Sequence, residues 1–380
     1  MGTDAWENWR AFDAGASELE NILDEHHSDR AFVGSQRAFG PFVISAILRD
    51  EGDVGPALLM HAGIHAHLGA ELIVGKELAP ADSSAHHGGI MSDEIAALIS
   101  LELGVRLRYA GTRQLSLLHD GDPHPPLHFE VSRLARPGRR GHEQIPRAMS
   151  RPASLDVLGR LPTFPRVGEV DQIELVRAAR AYATALWWAN EDPNRAWLDL
   201  ITATEIAANC RQTRRTDSVD LLRDAWPELW NDLEGSDAEL RAKVAGRVSP
   251  QMKATRRFID FIGELSPAPP EPRPEWEELD WTEMRDHARL IYAHRSKALH
   301  AGKPFPTPML EEPRRDPNGA IQEAPWGKTA GGASRAIWKK AEMPMFLSTF
   351  EYIVREALLR WWDELAGPDG TAHEVPQAQR

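Results

Sequence analysis

The sequence predicts an α+β protein, with a mixed α/β domain over residues 1–165 followed by an all-α helical bundle over 166–366. Three observations carry this. Alternating or β-branched runs are concentrated before residue 150. Prolines recur and periodicity lapses in "SRPASLDVLGRLPTFPRVG" (150–168), as at a domain boundary. Beyond it, apolar residues return every three or four positions, the period of a helix with one buried face. Residues 367–380 are expected to fray as a tail.

The elements follow in order. "FGPFVISAIL" (39–48) and "ALLMHAGIHAHL" (57–68) read as strands joined by the turn-rich "RDEGDVGP". "MSDEIAALISLELGV" (91–105) reads as a helix, with Ser92 as its cap and acidic residues in its first turn. "LHFEVSRLA" (127–135) reads as a further short strand. After the break come helices over 169–190 and 192–210, the second with Asp192 as cap and Pro193 at its first position. Weaker helical patterns cover 218–232 and 237–246, and a Ser–Pro start predicts another helix over 249–265. "SPAPPEPRPEWEELD" (266–280) is an extended link. A helix from about 281 follows, capped by Asp280 with Glu283 three residues on. Residues 304–333 read as a long loop. The closing helix, 343–365, places Phe346, Phe350, Ile353, Ala357 and Trp361 on one stripe.

Composition narrows the function. The 380 residues are 42% apolar with thirteen tryptophans, enough for real cores. The net charge is −13. A protein that coats nucleic acid is ordinarily basic, so any nucleic-acid contact must be a local basic site in an acidic envelope. The only cysteine, Cys210, permits no internal disulfide. The first residues lack the layout of a signal peptide, and no apolar run approaches membrane-spanning length. The expectation is a reduced, soluble, cytoplasmic protein without a cofactor. No P-loop, dinucleotide fingerprint or nucleophile elbow occurs.

The stretch "RLIYAHRSKALHAGKPFP" (289–306) carries the candidate chemistry. Arginine followed by histidine at such spacing occurs four times in the chain, as Arg113/His119, Arg136/His142, Arg289/His294 and Arg295/His300, so spacing alone decides nothing. Placement does more. At 100° per residue Met284, Ala288, Ile291, Arg295 and Leu299 share one stripe, which puts a cation on the apolar face. Such a charge is costly to desolvate unless it meets an anion. Tyr292, Ser296 and His300 form the adjacent stripe, and Gly302 and Pro304 end the helix. An anion-holding group beside an imidazole, which exchanges protons near neutral pH, suits phosphodiester chemistry. The plain alternative is an arginine snorkelling from a helix end and a histidine that complements the helix dipole.

"LIYAHRSKALHAG" resembles the signature of the HEPN superfamily, in which a tyrosine-bearing helix runs into Arg-Ser-x-x-x-His. Upstream, "RAYATALWWANEDPNRAWLDLITATEIAAN" is similar to the opening helical hairpin of Apea-like HEPN proteins, and "DEIAALISLELGVRLRYAGTRQL" resembles a segment that precedes some of them. The C-terminal likeness covers about half the chain. Ala301 stands between His300 and Gly302, where the family usually has glycine directly after the histidine. The resemblance implies a HEPN bundle acting as a metal-independent endoribonuclease, in which the ribose 2′-OH attacks the adjacent phosphate. It implies Arg295 and His300 as the catalytic pair, Ser296 and Tyr292 in support, and Glu205 as the acid that orients Arg295. It further implies RNA, tRNA among the candidates, as substrate, a homodimer with a composite site, and an antiviral or toxin-like role. A non-catalytic HEPN dimer that binds RNA or docks proteins is the rival.

Other clusters are weaker. Lys297 and Lys303 flank the pair, and "CRQTRR" supplies Arg211, Arg214 and Arg215; each reads equally as an RNA contact or a solvated charge. The same holds for the basic segment 133–147. His61, His65 and His67 share a face if their segment is a strand, which raises a metal hydrolase as a third idea. Without a cysteine or carboxylate at telling spacing, half-buried strand histidines are the simpler reading. The pairs Trp187–Trp188 and Trp361–Trp362 read as core or interface residues.

Overall fold

A computed structural model describes residues 2–47, 57–66, 73–74, 77–78, 87–119, 122–123, 125–131, 143–149, 152–211, 218–233, 235–326, 329–331 and 336–367. The chain is α+β, an antiparallel sheet region followed by a largely helical part.

The N-terminal part contains α1 (Asp4–Asp13), β1 (Glu20–His27), β2 (Phe32–Val33), β3 (Arg37–Phe39), β4 (Phe42–Ile47), β5 (Ala57–Ile64), β6 (Ile73–Val74) and β7 (Glu77–Leu78). Then come α2 (Met91–Leu103), β8 (Arg108–His119), β9 (Asp122–Pro123), β10 (Leu127–His128), α3 (Pro146–Met149) and β11 (Ala153–Ser154). The main sheet runs β10-β8-β1-β5-β4-β3, with β9 also paired to β8. Its central strand is β1, antiparallel to β5 with Asp24 opposite Met60 and to β8 with Asp24 opposite Thr112. One face, with Phe42, Ile44, Met60 and Ala62 buried, joins the core that holds Ile95 and Leu98 of α2.

Eleven of the thirteen residues of α2 are buried. A helix apolar on nearly all sides must lie between two layers, and α2 contacts β8 on one side and the first helix of the bundle on the other. Ser92 does not cap this helix. Ile90 holds the cap position, and the Ser92 hydroxyl donates instead to Asp24 of β1. Asp93, in the first turn, accepts the Ile90 N–H at 3.4 Å.

The C-terminal part contains α4 (Asp171–Trp188), α5 (Pro193–Cys210), α6 (Ser218–Ala225), α7 (Pro227–Asp232), α8 (Ala238–Leu265), α9 (Met284–Ala301), the short hairpin β12 (Thr329–Gly331) and β13 (Ala336–Trp338), and α10 (Leu347–Ala366). Asp192 caps α5 by accepting the Arg195 N–H at 3.0 Å, with Pro193 in the first turn. Trp197 of α5 lies stacked against Phe305 and Phe350, at centroid distances of 5.2 and 4.7 Å. Phe346, Phe350, Ile353, Ala357 and Trp361 are all buried.

Other expectations change besides the Ser92 cap. The helical pattern over 218–232 is two helices, α6 and α7, which break at Trp226 before Pro227. Residues 238–265 form one helix, not two, and it passes through Pro250. Proline costs a helix one N–H and some strain, which the anchoring of both ends offsets: the first half packs on α6 and the second enters the main core with Phe258, Phe261 and Ile262. The closing helix begins at Leu347, four residues late. Of the expected strand 127–135, Leu127 and His128 pair with β8 and the Phe129 N–H donates to the Arg113 carbonyl at 2.9 Å, while 132–135 fall outside the described residues. The expected loop 304–333 contains the 3₁₀ turn Thr307–Leu310 and ends in β12.

The two parts share one continuous cluster of buried side chains, from Ala5 to Trp362. Polar ties reinforce it. Glu102 of α2 accepts backbone N–H groups from Gly159, Arg160 and Leu161, and Arg355 of α10 donates to the Leu101 carbonyl at 3.0 Å. Among the described residues no helix is long and apolar enough to cross a membrane.

Cys210 closes the open end of the α4–α5 hairpin, its thiol donating to Asp171 at 3.2 Å. Burial and that carboxylate push the thiol up to about 12. Only the thiolate is alkylated, so at pH 8 the native protein should react with iodoacetamide about a thousandfold more slowly than an ordinary cysteine. Mass spectrometry of native and urea-unfolded protein tests this; equal rates would mean that the hairpin end opens freely.

Candidate active site

The site is built where α9 meets α5 and α8. Residues 292 and 295 are one turn apart and so lie together on the helix surface. The Tyr292 ring packs against Phe258 of α8 with centroids 5.2 Å apart, and its hydroxyl donates to Glu205 Oε1 on α5 at 2.9 Å. Arg295 donates to the other carboxylate oxygen, Glu205 Oε2, also at 2.9 Å. Its guanidinium carbon lies 5.4 Å from the centre of the Tyr292 ring. One carboxylate thus fixes two side chains, and the ring beneath limits how Arg295 can turn. Burial first, then the Glu205 charge, pushes the Tyr292 hydroxyl up to about 12, so it serves as a donor at any physiological pH.

The arginine is not fully enclosed. Its side chain keeps 24% of its exposure against 17% for Glu205, and it borders an open cleft of about 610 Å³. That cleft is lined by Tyr292, Arg295, Ser296, Lys297 and His300 of α9, with Glu205 opposite. His300 sits in the last turn, exposed, where Gly302 takes the left-handed conformation (φ 61°) and the N–H groups of Gly302 and Lys303 close on the Lys297 carbonyl. Arg295 faces Glu205 and Arg289 faces Asp286, so Lys297 leaves the lining with a net positive charge in a chain of net charge −13.

Arg295 and His300, the candidate pair, and the three residues expected to support them, Glu205, Tyr292 and Ser296, border one cleft. The apolar stripe stops sooner than expected: Met284, Ala288 and Ile291 are buried, but Leu299 is exposed. The second Arg–His pair of the stretch has another use. His294 is buried with Nε2 2.8 Å from the Glu342 carbonyl, and burial lowers its pKa, while Arg289 pairs with Asp286.

The weaker candidates scatter. Lys297 is exposed on the cleft wall, whereas Lys303 is exposed beyond the helix and does not line it. Arg211 is engaged by Glu264 of α8 at 2.7 Å and Glu364 of α10 at 2.9 Å, which makes it a clamp across three helices. Arg214 and Arg215 fall outside the described residues, as do Arg133, Arg136, Arg139 and Arg140. His61 is exposed on β5, His65 lies past the end of that strand with Nδ1 2.8 Å from the Ala16 carbonyl, and His67 is not among the described residues. Among the described residues no three histidine, cysteine or acidic side chains are grouped to hold a metal ion. Trp187, Trp361 and Trp362 are core residues, and Trp188 carries the Arg195 guanidinium over its ring at 4.5 Å.

Sequence reasoning passed over Trp226, which also borders the cleft. A lone aromatic ahead of a proline carries no periodic signal, so only the fold could bring it there.

No protein-family model matches the chain, and neither a curated protein nor a solved structure matches it.

Proposed function

We propose that the protein is a HEPN-type, metal-independent endoribonuclease that cuts RNA through attack of the ribose 2′-OH on the adjacent phosphate. The observation that carries this reading is the cleft in which Glu205, Tyr292, Arg295, Ser296 and His300 converge, locally cationic in an acidic chain. Arg295, held on one side by Glu205, has further N–H groups to offer a phosphate, where they offset the charge that builds in the transition state. His300 exchanges a proton, either taking it from the 2′-OH or giving it to the departing 5′-oxygen. The products are a 2′,3′-cyclic phosphate and a 5′-hydroxyl. The reaction needs both an acid and a base, and the cleft of one chain supplies one histidine. A homodimer that faces two clefts would supply the second. The wider role proposed is that of an antiviral or toxin-like effector, with the sheet region sensing or recruiting.

The test is incubation of wild type and His300→Ala with total RNA and tRNA in EDTA, with the new ends mapped. Wild type alone should cut, leaving cyclic phosphates, and the variant should lose about 10²- to 10⁴-fold in rate. Circular dichroism should be unchanged, since His300 is exposed. Cutting by both proteins would remove His300 from the mechanism. Binding by both without cutting would favour the non-catalytic HEPN dimer.

A further inference from the structure

Trp226 stands at a corner between α6 and α7. Its N–H donates to the Leu222 carbonyl at 3.0 Å, and its own carbonyl accepts from Trp230 at 3.0 Å. Pro227 follows, which disfavours helical geometry at the residue before it, and Trp226, with φ −134° and ψ 68°, is not helical. The corner is thus fixed on both sides. It belongs to a small lobe, apart from the main core, where Leu222 and Ala245 are buried and Trp226, Leu229 and Trp230 pack around them.

The two tryptophans of this lobe are used differently. Trp230 has the Arg223 and Arg241 guanidinium groups over its ring at 5.3 and 5.5 Å. Trp226 is half-buried, and among the described residues neither another ring nor a cation is stacked on it. It borders the cleft beside Ala254 and Thr255, with Arg289, Ala293, Ser296, Lys297 and His300 on the α9 side. Eleven residues of helix separate Arg289 from His300, about 16 Å at 1.5 Å per residue. That is longer than one nucleotide, which rises about 3.4 Å in a stacked strand.

We infer that Trp226 is the floor of a nucleobase subsite, on which an unpaired base next to the phosphate held by Arg295 stacks. The inference rests on the ribonuclease reading for its phosphate and adds what that reading lacks, a group that recognises a base. Aromatic rings accept any base through its face, and the basic residues of α9 follow the backbone. A base reaches a protein ring only when splayed out of its helix, so the substrate class is single-stranded RNA, such as loops and bulges, and continuous duplex is excluded.

The test compares two ligands that share sugar and phosphate, adenosine 5′-monophosphate and ribose 5-phosphate, in calorimetric titrations of full-length wild type, Trp226→Leu and Trp226→Phe. Leucine keeps apolar packing in the lobe without a π-face; phenylalanine keeps the π-face. Wild type should bind the nucleotide roughly 5- to 150-fold more tightly than the sugar phosphate, the range for one stacked base. Trp226→Phe should keep most of that ratio. Trp226→Leu should bring it close to one at unchanged affinity for ribose 5-phosphate. Equal affinities in wild type, no binding of either ligand, or a ratio that survives in Trp226→Leu would each overturn the subsite. So would a leucine variant that loses both ligands alike, which would make Trp226 a packing residue. RNA cleavage is read separately: a nucleotide preference that depends on Trp226 in a protein that cuts no RNA would sink the ribonuclease reading and leave the subsite standing.

Discussion

Arg295→Lys is expected, on the proposed ribonuclease reading, to lower RNA cleavage by about 10²- to 10³-fold while the protein stays folded. Lysine keeps the charge, and its ammonium can still meet Glu205, so little stability should be lost. What disappears is the fork. A guanidinium presents five donors in one plane, so it can answer Glu205 with one N–H and a phosphate with others. An ammonium carries its three donors on one small atom, so it cannot grip a phosphate bidentately while it also meets Glu205, which Tyr292 fixes. Arg295→Ala should be equally inactive but also less stable, because Glu205 would lose its cation while only 17% exposed. Single-turnover cleavage with urea denaturation separates these effects. A lysine variant that cuts at the wild-type rate would show that bidentate contact has no part in the chemistry.

The helical half was legible because its local signals and its packing agree. Asp192–Pro193 caps α5 as read, Asp280 accepts the Thr282 N–H at the start of the turn leading into α9, and Gly302 stops it. The closing stripe from Phe346 to Trp361 is buried throughout. Where local and tertiary demands differ, reading failed. Ser–Pro at 249–250 is a helix start by sequence, yet two packed halves carried α8 across it.

The sheet half was harder for a physical reason. Its central strand, β1, has the sequence "ENILDEHH" and looks like surface. Asp24, Glu25 and His26 are nevertheless buried, because their partners lie on distant segments: Ser92 of α2 with Asp24 and His26, and Arg113 of β8 with Glu25. A polar strand at the centre of a sheet cannot be recognised before those partners are known. α1 and β8 escaped likewise. At the site, residues within one helix were legible from their angular positions, and Glu205, ninety residues from Arg295, was reached only through the resemblance. Trp226 had neither support.

Glu102→Gln should destabilise the whole chain by about 2–4 kcal/mol although it changes one heavy atom. The carboxylate is buried at the end of α2, with Oε1 2.6 Å from the N–H groups of both Gly159 and Arg160 and Oε2 3.0 Å from that of Leu161. Those donors open the 3₁₀ turn Leu161–Arg166, whose first N–H groups have no partner within the turn. A glutamine oxygen can serve the first two, but its NH₂ then faces the Leu161 N–H, donor against donor. The charge that strengthened all three bonds is lost as well. The position lies between the sheet layer and α10, where Arg160 pairs with Asp363 at 2.8 Å, so the loss should spread to both parts. Urea unfolding followed by tryptophan fluorescence and by far-ultraviolet circular dichroism tests this. Both curves should shift together to lower urea. A shift confined to one signal would mean that the two parts unfold independently, despite their shared core.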